Sequence, residues 1–155
     1  MSVGSVARPS ASAALPRSEF GRAGKIAIAF LSVLGLGAMA GGLSLALKPD
    51  GSVMQFDVKL LAGSPFSDYF LPGLILFGLF GVGSLAVVAL GLRHGRLAPF
   101  LAFAIGCAQM IWIVVELIVI REFSFLHPTC FAIGAIIAIA AVPWGWPILR
   151  AWRRP

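Results

Sequence analysis

Four long apolar runs, each closed by charged or turn-forming residues, organise this sequence. The first, residues 26–47, carries no charge and lies between Lys25 and Lys48. As a helix rising about 1.5 Å per residue it extends on the order of 33 Å, enough to cross a bilayer core of about 30 Å. The second runs from Tyr69 to Leu92, the third from Leu97 to Ile120, and the fourth from Thr129 to Leu149. The pattern predicts an all-α membrane protein with four transmembrane helices in a bundle over residues 25–149. Residues 1–24, polar and rich in Ser and Ala, predict a flexible tail, and residues 150–155 form a basic tail.

The connections are predicted as follows. Pro49-Asp50-Gly51 signals a turn opening an outer loop over 48–68. Within it Met54, Phe56, Val58 and Leu60 alternate with Gln55, Asp57 and Lys59, which predicts either a short extended segment with one apolar face or a plain loop. Ser64-Pro65 reads as a helix start, with Ser64 as cap, Pro65 at the first helical position and Asp68 near the positive helix end. Pro72-Gly73 marks a bend or the true start of the spanning part. Arg93-His94-Gly95-Arg96 is a tight, charged turn, and Phe123 to Pro128 is a short link. Pro143 and Pro147 bracket Trp144-Gly145-Trp146, an aromatic interface anchor.

Composition agrees. Of 155 residues 59% are hydrophobic and 12% charged, with a mean hydropathy of +0.98, about half the charge a soluble domain carries. A net charge of +6 would point to nucleic acid in a soluble chain, but the basic residues sit at the ends of apolar runs. Two processing signals are imitated. The Arg- and Ser-rich start resembles a transit peptide but lacks amphipathic periodicity. Ala38-Met39-Ala40 resembles a signal cleavage site, yet the run stays apolar beyond it to Leu47, which favours a retained helix.

Charge placement sets an orientation. The N-terminal segment with Lys25, the Arg93/Arg96 turn and the C-terminus hold nine basic residues, against Lys48, Lys59 and Arg121 on the other side. The positive-inside rule then predicts both termini in the cytoplasm.

Glu116 is the acid inside an apolar run, four residues from its end, where a charge is costly. Gln109, Trp112 and Glu116 share one helical face, a polar stripe expected to point into the bundle. Glu116, with His127 approaching from the link, is a candidate acid/base pair; the plainer expectation for Glu116 is an inter-helix hydrogen bond or an ion pair near the surface with Arg121 or His127, and for His127 a solvent-facing position. His94 falls on the opposite side and is expected among lipid headgroups. Cys107 and Cys130 lie at different depths, too far apart for a disulfide, and read as packing residues. Gly37-x-x-x-Gly41 with Gly35 and Gly42 nearby, Gly78, Gly81 and Gly83, Ala102/Gly106 and Gly134/Ala138 are small-residue positions for close helix packing or an oligomer interface. No P-loop, HExxH, nucleophile elbow, CxxC or carboxylate cluster appears, so no cofactor and no metal is expected.

The stretch Gly41-Gly42, Pro49-Asp50-Gly51 and Ser64-Pro65-Phe66-Ser67-Asp68-Tyr69-Phe70-Leu71-Pro72-Gly73, followed by Trp112-Ile113-Val114-Val115-Glu116, resembles small four-span bacterial integral membrane proteins of uncharacterised function. The resemblance implies the same topology and a bacterial inner membrane, and brings no catalytic residue. The expectation is a subunit, assembly factor or partner-binding module that meets the lipid bilayer, a membrane-protein partner or its own copy, and no nucleic acid. The alternative is a small transporter or a lipid- or quinone-handling enzyme using Glu116 and His127.

Overall fold

The computed structural model describes residues 21–120 and 123–153. Arg8, Arg17, Arg121 and Arg154, which are among the basic residues that set the expected orientation, lie outside the described residues, as does most of the tail expected over 1–24.

The described chain is all-helical, with four helices long and apolar enough to cross a membrane: α1 (Arg22–Leu47), α2 (Phe70–Leu92), α3 (Ala98–Ile120) and α4 (Leu126–Trp152). Their outward faces carry bare aliphatic side chains at mid-length; Leu36 is 63% exposed and Ile139 71%. Water would penalise such a surface, whereas hydrocarbon does not.

Local chemistry sets the helix ends. α1 stops before Lys48-Pro49, because the residue ahead of a proline is driven out of the α region. α2 closes with paired bonds: Gly95 N–H donates to the Leu90 carbonyl (2.9 Å) and His94 N–H to that of Gly91 (2.8 Å). This is a Schellman motif whose left-handed residue is His94 (φ 56°) rather than glycine. Gly95 is needed for space, since a Cβ there would lie 2.6 Å from Leu90 Cγ.

Several local expectations are corrected. Residues 54–60 form neither an extended segment nor a plain loop; short 3-10 turns occupy Ser52–Met54 and Val58–Leu61. Asp50 and Asp57 accept from the N–H groups two residues on, and such Asx turns compete with extended backbone. α2 starts at Phe70, not at Pro65. Ser64 spends its hydroxyl on Phe66 N–H, and Asp68 accepts the Phe70 N–H (2.9 Å), taking the capping role assigned to Ser64. Pro72 therefore sits in the first turn, where its missing N–H costs nothing. α4 starts at Leu126 and includes His127, which was expected in a link. Trp144 is a core residue at 4% exposure, while Trp146 alone of that pair faces outward, under the Arg150 guanidinium 5.3 Å away.

The core is built from small residues. Ala27, Leu31, Leu34, Ala38, Phe80, Val87, Ala98, Ala102, Ile105, Ile137, Ala140, Ala141 and Trp144 form one buried cluster drawn from all four helices. Gly106 of α3 backs onto α4: a Cβ there would meet the Gly134 carbonyl at 2.7 Å and Ala138 N at 2.8 Å. In α1 the packing positions are Gly35 and Gly42 rather than the Gly37-x-x-x-Gly41 pair. Gly42 abuts the Gly73 carbonyl and Phe77 backbone of α2, whereas Gly37 and Gly78 face open space. α2 is not uniform, because Leu76–Val82 is a π-helical segment, a feature the apolar pattern does not announce.

Candidate functional site

The titratable side chains gather where α3 ends and α4 begins, beside the long loop. Ser124 and His127 make a reciprocal cap. The Ser124 backbone N–H donates to His127 Nδ1 (3.0 Å), and the Leu126 N–H donates to Ser124 Oγ (3.3 Å). The arrangement resembles a capping box with histidine in the usual place of glutamate or glutamine, except that Ser124 Oγ accepts from Leu126 N–H while the His127 N–H donates to the Ser124 carbonyl. His127 is thereby held in a buried position, with the Phe123 ring stacked 6.2 Å from its own, so the solvent-facing histidine is corrected. Nδ1 also lies 3.3 Å from the Ser124 carbonyl.

Glu116 is half-buried on the last turns of α3, within electrostatic reach of His127, Cys130 and Tyr69. Tyr69, which sequence reasoning passed over, lies just outside α2 and is 3% exposed. Its hydroxyl donates to the Asp57 carbonyl (3.0 Å) and its N–H to that of Pro49 (2.9 Å). Burial first, and then the negative charges of Asp57 and Glu116, push its phenol above the usual 10.0. Its position as the chain's one tyrosine, at the mouth of an apolar run, was the available clue.

The stripe Gln109, Trp112, Glu116 is a column rather than one pocket. Glu116 lies about 10 Å along the helix from Gln109 by helical rise. Gln109 is buried, and Trp112 packs its ring 5.8 Å from Phe80. His94 stands exposed at the other end of the helices, near an apolar groove between Lys25, Ile28, Ala29 and Leu92. Cys107 and Cys130 are free thiols. Among the described residues no group of three His, Cys, Asp or Glu side chains could hold a metal ion. Among the described residues no hydrogen bond or ion pair joins Glu116 to His127, so the expected acid/base pair is coupled through charge and not through a shared proton, and the carboxylate is left to attract a cation or accept a partner's donor.

The chain matches no family model, and neither a curated protein nor a solved structure is detectably similar to it.

Proposed function

We propose that the chain is a multi-pass protein of a bacterial inner membrane, a four-helix bundle with both termini cytoplasmic. On this reading it works without catalysis, as a subunit, assembly factor or partner-binding module. The observation that carries the reading is the loop between α1 and α2. Its backbone is tied at both ends through Tyr69, and Gly51 is buried in a left-handed turn (φ 75°). Yet it presents Val53, Met54 and Phe56 outward. A loop held in one shape while exposing apolar side chains is suited to docking, because little ordering entropy is lost on contact. Recovery of partners in mild detergent tests it: Phe56→Ser is expected to lower recovery severalfold, and unchanged recovery would sink the reading. Reporter fusions after Pro155 and within residues 51–63 test the orientation, and an external C-terminus would overturn it.

The second reading, a small transporter or lipid- or quinone-handling enzyme, draws support from buried His127 lying within electrostatic reach of Glu116. It requires a pH-dependent activity that collapses in Glu116→Gln. Altered partner recovery or stability in that variant, with no turnover lost, favours the first reading.

A further inference from the structure

Ser84 on α2 and Gln109 on α3 are fully buried, at 0% and 2% exposure, and the Ser84 hydroxyl and Gln109 amide oxygen have no hydrogen-bond partner among the described residues. The other helical hydroxyls behave differently. Ser32, Ser44 and Thr129 each bond the carbonyl four residues back. Ser84 comes just after the π-helical segment, where Gly83 N–H reaches five residues back to Gly78, and it makes no such bond. A buried oxygen left unpaired is costly, so a guest that donates to it is favoured.

By helical rise the two residues lie at a similar depth along their helices. Phe80 and Trp112 face each other with ring centroids 5.8 Å apart. α2 and α3 run antiparallel across the short Arg93–Leu97 turn, so Ser84 and Gln109 lie on the same side of that ring pair. Ser84 is displaced from it by about 6 Å and Gln109 by about 4.5 Å of helical rise. Both belong to the inward stripes of their helices: Phe80, Ser84, Val87 and Gly91 on α2, and Ala102, Ile105, Gly106, Gln109 and Ile113 on α3.

We propose that Ser84 and Gln109 together hold an internal water molecule at mid-length of the helices. Water carries two O–H donors for the two orphaned oxygens and adds no net charge. A monovalent or divalent cation fits less well, since hard cations need more oxygens than these two side chains provide, and an uncompensated charge in an apolar interior is penalised. The inference does not depend on orientation or on any partner.

The sequence allows a direct test. It contains two glutamines, Gln55 and Gln109, and no asparagine, so glutamine labelled with nitrogen-15 in its amide gives only two side-chain signals in the full chain in lipid bilayers. Gln109→Met assigns them by loss of one. Gln55, exposed in the loop, serves as the positive control for magnetisation transfer from water. The expected result is transfer to Gln109 as well, falling at least twofold in Ser84→Ala while Gln55 is unchanged. Absence of transfer to Gln109 would overturn the site, and transfer indifferent to Ser84→Ala would overturn the pairing. A Gln109 signal that moves on exchanging sodium for potassium, without transfer from water, would assign a cation instead and overturn the water.

Discussion

The Ser124 backbone N–H donates to Nδ1 of His127 across 3.0 Å, so the histidine within electrostatic reach of Glu116 also ties down the start of α4. The two roles separate by substitution. Ser124→Ala removes the hydroxyl that accepts from Leu126 N–H and should cost about 1 kcal/mol, the usual worth of a helix cap. His127→Gln can keep a capping acceptor and should retain most of the stability that His127→Ala loses. Thermal unfolding in detergent checks this order; equal losses for Gln and Ala would show that the cap contributes little.

The glycines of α1 should divide by what they touch. Gly42→Ala places a Cβ 2.7 Å from the Gly73 carbonyl and against the Phe77 backbone, neither of which can swing aside. Overpacking of this kind costs about 1–3 kcal/mol. Gly37→Ala meets nothing within 4 Å and should be neutral or slightly stabilising, since alanine is the better helix former. Unfolding midpoints of the two variants measure the contrast.

His94→Gly should stabilise the α2–α3 turn by roughly 1 kcal/mol, because the left-handed conformation at φ 56° penalises a side chain and not a glycine. The same measurement detects it. A loss of stability would mean that the contacts of the His94 side chain outweigh the strain in its backbone.

Tyr69 can be titrated by itself, since tyrosinate absorbance reports a single residue here. Its folded pKa is raised above 10.0, with burial as the main cause. The folded protein therefore favours the neutral phenol. That stability is fully present below the unfolded pKa near 10 and is lost as pH rises through the higher folded value. The tyrosinate midpoint should lie above 10 in the folded protein and return to about 10 on denaturation. Tyr69→Phe should abolish the alkaline loss of stability while weakening the loop through its missing bond to the Asp57 carbonyl. A folded midpoint at or below 10 would refute the assignment.

The four apolar runs and their flanking charges are properties of the chain in order. That is why the sequence by itself determined the number of helices long and apolar enough to span a membrane, and their extents to within a few residues. A run long enough to cross hydrocarbon must satisfy its own backbone, and a helix does so locally. The turn at Arg93–Arg96 and the small residues Gly106, Gly134 and Ala138 were legible for the same reason. What only the tertiary structure decided depends on which side chain meets which. The alternation at 54–60 yields to Asx turns at Asp50 and Asp57; the cap of α2 passes from Ser64 to Asp68; Trp144 turns inward where Gly24 and Gly91 leave room for its ring. His127 is buried with the Ser124 N–H as its partner, and Ser84, just after a π segment, keeps a buried hydroxyl with no partner among the described residues. Hydrophobic periodicity records only how apolar a position is. A hydrogen bond or a close glycine contact also depends on direction and depth, which are set only once the four helices have packed.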